Sequence, residues 1–482
     1  MLRLSKLAAA CARRAVHAQP TKAAGDISSV FPSLSGIAQV PLPARLADVQ
    51  RLIVRGREQE LADSWTRLLA SLQDEIAQIK RQGSAVIPTL DFNRDVETDD
   101  KTGQVKFASQ SIVQDIKTRG VVVLKNVIPP DVARSFKVDA ETYINANPQV
   151  IGFPKHSPSV YELYWSRSQV RARSHANLIK AQAAIMSLWH SSQPSAKLTT
   201  RHPLSYADRL RIRLPGDAQF TLGPHIDGGS IERWEDPEYV RVYASILRDA
   251  AWEKYDPFDY AHRVNAKTDM YNGSGACSMF RMFQGWVAMS STGPCQGTLK
   301  VYPLLKHATA YTLLRPFFDP VDGANFVAPS NSFPNTALGA GQELNHLTHP
   351  HLNLPEAMTA VPHVEPGDYV LWHCDTIHSV ERHHHGQSDS SVLYIPAVPM
   401  TLPNLRYLKR QRDAFNLLSP PPDFPDAGGV GEREFKGAAT AADFANDYGA
   451  RAAGHHNIKW DHTLAQDQIE KELLQSANQI LF

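Results

Sequence analysis

From Ala207 to Pro399 the chain breaks into short apolar runs punctuated by Gly, Pro, Asn and Asp, and that rhythm constrains the fold more than any other feature. DRLRIRLPGD alternates Arg209, Arg211 and Arg213 with Leu210, Ile212 and Leu214, the two-residue period of a strand with two unlike faces. FRMFQGWVAMS, QGTLKVYPLL, GDYVLWH and SSVLYIPAVP continue the series. Many short strands at irregular intervals predict a barrel-like or jelly-roll sheet. A Pro-, Asn- and Gly-rich stretch from Phe317 to Glu365 reads as an insertion in it, and loops of that length are commonly functional or disordered.

Helical patterns flank the sheet. Arg45 to Gln82 repeats Leu46, Val49, Leu52, Leu61, Trp65, Leu68, Leu69, Leu72 and Ile76 mostly at three- and four-residue steps, which predicts one long amphipathic helix packed on the core. A helix over 112–117, the strand GVVVLKNVI and a helix opening at Pro129–Asp131 follow. LRYLKRQRDAFNLL and HTLAQDQIEKELLQSANQILF close the chain as helices. The expected organisation is a leader over 1–25, a helical extension over 26–108, a core over 109–400 with its insertion at 317–365, and a helical extension over 401–482.

Charge removes several function classes. Lys and Arg total 50 against 49 Asp and Glu, so no global field draws the chain to nucleic acid or an anionic membrane. A small-molecule partner is the default. Cys11, Cys277, Cys295 and Cys374 form no CxxC pair, which argues against a disulfide scaffold and a structural zinc site and fits an intracellular setting. No apolar run approaches the ~20 residues of a membrane span. The first residues carry Arg3, Lys6, Arg13, Arg14 and Lys22 with no acid before Asp26, a pattern shared by mitochondrial presequences and basic disordered tails; without import, the expected location is the cytoplasm.

Two segments carry the chemistry. In GPHIDGGS, His225 and Asp227 stand two residues apart on extended backbone, so their side chains share one face and can reach one metal. In EPGDYVLWHCDTIHSVE, Gly367 and Asp368 make a turn, a strand runs to His373, and His378 lies beyond. Two imidazoles and one carboxylate on one side of a metal leave the opposite positions open for cosubstrate and dioxygen. With no thiolate in the set, redox-active iron(II) is favoured over a closed zinc site.

At these residues the chain resembles the phytanoyl-CoA dioxygenase-like iron(II)/2-oxoglutarate oxygenases, and is most similar to a bacterial and fungal branch of that superfamily, DUF1479, through DRLRIRLPGD, GPHIDGGSIERWE, GDYVLWHCDTIHSVE, YIPAVP and LKRQRDAF. The resemblance covers about residues 111–399 and extends into the C-terminal helices. It implies an α+β fold with a double-stranded β-helix (jelly-roll, cupin-like) core, iron(II) held by His225, Asp227 and His378, 2-oxoglutarate as cosubstrate, and oxidation, usually hydroxylation, of a small organic molecule by dioxygen. It also implies that His373 supports rather than ligates and that Trp286 lines the 2-oxoglutarate pocket.

The family's pattern is broken at one place. Its arginine on the strand after the last ligand, which grips the far carboxylate of 2-oxoglutarate, is missing from HHHGQSDSSVLY. Ser390 and Ser391 are hydrogen-bond donors there, and a cation from another strand is expected: Arg281 first, then Arg213, then Lys300. Arg233 and Trp234 are candidates for the substrate entrance, and an arginine there favours a carboxylate-bearing substrate. Asp375 is a candidate partner for a ligating imidazole. His383, His384 and His385 read as a solvated loop, His346, His349 and His351 as structural residues of the insertion, and His455 and His456 as surface residues. An iron oxygenase that does not use 2-oxoglutarate, a small-molecule-binding jelly roll without catalysis, and a hydrolytic zinc enzyme remain as alternatives.

Overall fold

The computed structural model describes residues 22–35, 40–321, 325–426, 428–455 and 459–482. Most of the basic leader therefore lies outside the described residues. The strands, in chain order, begin with β1 (Thr89–Asp91), β2 (Val96–Thr98), β3 (Val105–Phe107), β4 (Val121–Lys125), β5 (Gly152–Phe153) and β6 (Val160–Tyr161). The central run comprises β7 (Thr199–Leu204), β8 (Leu210–Arg213), β9 (Leu222–Ile226), β10 (Phe283–Ala288), β11 (Leu299–Val301), β12 (Gln342–Glu343) and β13 (Thr359–Ala360). The last are β14 (Tyr369–His373), β15 (His378–Val380), β16 (Ser390–Tyr394) and β17 (Val398–Met400).

Two sheets dominate this α+β fold. The larger runs β1-β4-β14-β10-β16-β8-β6-β5 and the smaller β12-β9-β15-β11-β13. From β8 to β11 the chain changes sheet at each strand, and it does so again from β13 to β16. Because side chains alternate across a strand, the register determines which residues share a face. Arg211 stands opposite Val392, and Trp286 opposite both Tyr394 and Val370.

Helices cover both sheets. Leu61, Trp65, Leu68, Leu72, Ile76 and Ile79 are buried along one stripe of the helix Glu58–Gln82, which packs on Leu305–Leu314. Trp65 stacks between Tyr311 and Phe318 at centroid distances of 5.0 and 4.8 Å. Each such large side chain contributes roughly 1.5–3 kcal/mol by leaving water. The long helix expected over 45–82 is instead two, Leu46–Val54 and Glu58–Gln82. Gly56, at φ 73°, turns the backbone left-handed between them, so the apolar stripe continues while the axis does not. The insertion is built rather than loose, since β12 adds Gln342 and Glu343 to β9 and β13 extends the smaller sheet at β11. The C-terminal helices Leu402–Leu417 and Gln468–Leu481 pack on one another around Leu405, Leu408, Leu473 and Ala477. Among the described residues, no helix is long and apolar enough to cross a membrane, and Cys277, Cys295 and Cys374 are free.

Candidate metal centre and its cavity

β9 ends at Ile226, and His225 leaves it toward the first residue of β15, His378, its partner across the ladder. Asp227 follows where the strand gives way to Gly228 and Gly229, at φ 75° and 98°, a left-handed pair that only glycine adopts without strain. The turn brings the Asp227 carboxylate back over the two imidazoles. Its oxygens lie 3.7 Å from His225 Nε2 and 3.7 Å from His378 Nε2, and the rings are 4.0 Å apart between centroids. One ligand atom from each residue lies within 4.8 Å of the others, a spacing that one cation can bridge.

Second contacts orient these donors. His225 Nδ1 lies 2.7 Å from the Gly223 carbonyl and His378 Nδ1 3.0 Å from that of Thr376, so each ring holds its proton on Nδ1 and turns Nε2 to the common point. Backbone carbonyls thus fill the role expected of Asp375, which instead accepts from Tyr243, Tyr255 and Arg263 in a buried network. Burial and the neighbouring His225 lower the His378 imidazole to about 3. Burial opposes ionisation of Asp227, but His225, His378 and Arg281 outweigh it and lower its pKa. A neutral His378 imidazole and an ionised Asp227 carboxylate are the protonation states that a divalent cation requires.

The three residues border a cavity of about 130 Å³. Trp286, Trp372, Leu299 and Tyr394 line it together with Tyr206, Phe424 and Phe31. Phe31 comes from the N-terminal segment and packs edge-to-face with the His225 ring, 4.6 Å between centroids. That segment is tethered by Lys22, which pairs with Asp269 and Asp423 at 2.7 and 3.2 Å. The lining mixes aromatic and aliphatic side chains with three arginines and four carboxylates, so a small molecule bound here meets charge as well as apolar surface.

Of the other candidates, Trp286 and Arg281 line this cavity. Arg281 precedes β10 rather than lying on it, sits over the Tyr206 ring at 5.6 Å, and has Asp208 4.0 Å away. Arg213 does not line the cavity. It is fully buried and donates to Asp217, to the carbonyls of Gly297, Glu381 and Arg382, and to that of Asp217, which leaves nothing for a ligand. Ser391 faces away from the cavity: alternation along β16 directs Ser390 inward, while Ser391 Oγ donates to Asp389 at 2.6 Å. Lys300 lies outside the lining too, since its neighbour Leu299 takes the inward position on β11.

Arg233 and Trp234 also do not reach the cavity. Arg233 is buried behind it and donates to the carbonyls of Asp227, at 2.8 Å, and Gly229, at 2.7 Å, so it braces the ligand turn. Trp234 donates to the Leu313 carbonyl and packs on Phe333. The helical turn Glu232–Glu235 that carries both puts Glu232 into the lining instead, where burial raises its carboxyl to about 7. His373 is committed at both nitrogens, to the Pro257 carbonyl and the Asp375 N–H, as a supporting residue would be. His349 is buried beside Thr348, and His351 meets Tyr311, both as structural residues. His384 is buried too, rather than on a solvated loop, and accepts from the Gly386 N–H. His455 is likewise buried against Phe415 and Phe444, whereas His456 lies outside the described residues.

Sequence reasoning passed over Arg211, Glu232, Tyr206 and Phe31. Alternation in DRLRIRLPGD held a signal for Arg211, because it puts Arg209, Arg211 and Arg213 on one face, but not for which of them meets a partner.

Residues 40–455 match the family described as Gig2-like. An Escherichia coli K12 protein, uncharacterized protein YbiU, is 34% identical over 425 residues, which cover 86% of this chain and 94% of that one. The crystal structure of GlcNAc Inducible Gene 2, GIG2 (DUF1479), from Candida albicans matches with a TM-score of 0.81 at 31% identity, over 92% of this chain and 96% of that one. A Salmonella typhimurium LT2 structure described as "Putative Oxidoreductase" matches with a TM-score of 0.72 at 32% identity, over 85% and 96%. The DUF1479 resemblance read from the motifs is thereby borne out.

Proposed function

We infer that this chain, which belongs to the Gig2-like family, is a non-haem iron(II) oxygenase that uses 2-oxoglutarate and dioxygen to oxidise, typically by hydroxylation, a small organic molecule. The observation that carries the reading is the convergence of His225 Nε2, His378 Nε2 and the Asp227 carboxylate at the wall of a cavity. Two nitrogen donors and one carboxylate, with no thiolate and with open space opposite, suit iron(II) in an oxygenase. A Salmonella relative described as an oxidoreductase agrees with that class. The strand order supports a double-stranded β-helix: β8-β16-β10-β14 faces β9-β15-β11-β13, and successive strands alternate largely between the two.

When bound, the metal with 2-oxoglutarate supplies oxidising power from dioxygen, with release of succinate and carbon dioxide. This chain's residues do the rest. The carbonyls of Gly223 and Thr376 hold the imidazole protons away from the metal side. Arg233 holds the Asp227 backbone, and with it the angle at which the carboxylate approaches. Trp286 and Trp372 keep the inner end apolar, and Phe31 shields the His225 edge from water. Arg281, whose charge is felt by both Asp227 and His378, is the group most suited to meet substrate beside the metal.

The test is an anaerobic titration of the full chain with iron(II) and then 2-oxoglutarate, followed by succinate analysis in air. One iron per chain, a weak visible charge-transfer band on adding 2-oxoglutarate, and slow succinate formation are expected. Tight zinc with no affinity for iron, or bound iron without the band, would remove the reading.

A further inference from the structure

Arg211 is 2% exposed and extends from the middle of β8 into the cavity lining. Among the described residues it has no carboxylate within ion-pair reach, and its one hydrogen bond runs 3.4 Å from Nη2 to Ser390 Oγ, a neutral group. Its Nε is buried without a partner. Desolvation lowers its pKa, with only distant charges in opposition. A guanidinium taken out of water without an anion is among the most expensive groups a fold can bury. A ligand that supplies the anion removes the penalty. The other two cations of the lining have carboxylates beside them: Arg209 has Asp208 and Glu162 at 3.3 and 3.6 Å, and Arg281 has Asp208 at 4.0 Å.

We propose that Arg211, held from behind by the Ser390 hydroxyl, forms a carboxylate-binding site in the cavity and takes the far carboxylate of 2-oxoglutarate. The proposal rests on the iron(II)/2-oxoglutarate reading of the triad. The guanidinium of Arg211 borders the cavity with no carboxylate on it, and its planar fork suits a two-point contact with one. Ser390 sits on the strand paired with β8 and also touches Thr292 Oγ1 at 3.3 Å, so its hydroxyl is held at the site. Arg281 then remains for substrate, and each cation has its own anion or dipole to meet.

The experiment compares Arg211→Met, Arg211→Lys and Arg281→Leu with the unaltered chain. Anaerobic iron(II) titration comes first and should give similar affinity for all four. The iron-loaded proteins are then titrated with 2-oxoglutarate and with 2-oxobutyrate, which has the same chelating end but no far carboxylate. The unaltered chain should prefer 2-oxoglutarate by about 30- to 100-fold. Arg211→Met should lose that preference, Arg211→Lys should keep part of it, and Arg281→Leu should keep nearly all.

A thermal melt without oxo acid supplies the readout that a structural arginine would not give: Arg211→Met should melt no lower than the unaltered chain, because it removes an unpaired buried charge. Retained preference in Arg211→Met and Arg211→Lys, or its loss in Arg281→Leu, overturns the proposal. If Arg211→Met fails to fold, Arg211→Lys decides by the same preference ratio. Should the unaltered chain bind iron but give no band with either acid, the 2-oxoglutarate reading fails. Glutarate is then the probe: a thermal shift abolished by Arg211→Met keeps the carboxylate site, and no shift in the unaltered chain removes it.

Discussion

Arg211 and Arg213 leave β8 on the same face, two residues apart and both buried, yet they sit in opposite circumstances. Arg213 closes the end of the sheet pair, where Asp217 and the chain over 381–382 converge to accept every donor. Arg211, one step further along the same face, looks into the cavity and meets a single hydroxyl. The same contrast divides His373, committed at both nitrogens, from His378, whose Nε2 is left for the metal. What separates the two members of each pair is the company of the charged or ligating atom: Arg213 and His373 commit theirs to fixed partners of the fold, whereas Arg211 and His378 face the cavity.

Four changes would break or sharpen that contrast. The largest effect is expected from Asp227→Ala or His378→Ala. Iron affinity should fall by more than about 100-fold, since losing a ligand must exceed the 10- to 100-fold typical of losing an outer partner, while the urea midpoint of the metal-free protein stays close to that of the unaltered chain. Equilibrium dialysis with iron(II) under anaerobic conditions measures this, and unchanged iron stoichiometry would refute the triad.

Arg213→Met should destabilise the fold by about 3–5 kcal/mol in urea titration, because Asp217 is left charged and unpaired. Its sign would be opposite to that of Arg211→Met, and equal effects from the two substitutions would erase the distinction between them. Arg233→Met tests a group that supports the site from behind. Iron affinity should weaken by about 10-fold as the Asp227 turn loosens, with iron still bound at saturation.

The smallest effect concerns a satisfied carboxylate far from the cavity. Burial alone would raise Glu470, but the His202 imidazole, the Gln466 N–H and Arg201 pull it down to about 2. A folded pKa below the unfolded 4.5 means that its stabilisation is fully present above pH 4.5 and disappears as pH falls toward 2. With allowance for solvent screening, about 2 kcal/mol at most is at stake. Stability measured from pH 5 to pH 2.5 should fall more steeply in the unaltered chain than in Glu470→Gln, and parallel curves would count against the assignment.

The triad is legible in the amino-acid sequence because its geometry is local. His225 and Asp227 share a face by strand alternation, and His378 begins a strand after a recognisable turn, so only the pairing of two strands had to come from the tertiary fold. The helical stripe of 58–82 is legible for the same reason, while the break at Gly56 is not, since an apolar repeat reports a face and not an axis. Arg233 and Trp234 mislead because sequence neighbours of a ligand need not be neighbours of the cavity: a four-residue helical turn rotates them behind it and Glu232 into it.

What the amino-acid order determined by itself was the alternating strands, the amphipathic helices and the donors on each face, all consequences of backbone periodicity over a few residues. What only tertiary structure decided was which charges found partners. Arg213 depends on carbonyls more than eighty residues away, Phe31 reaches His225 from the start of the described chain, and the distant strand beside Arg211 brings it a hydroxyl and no carboxylate. Partnership of that kind is settled by long-range packing, which no local pattern encodes.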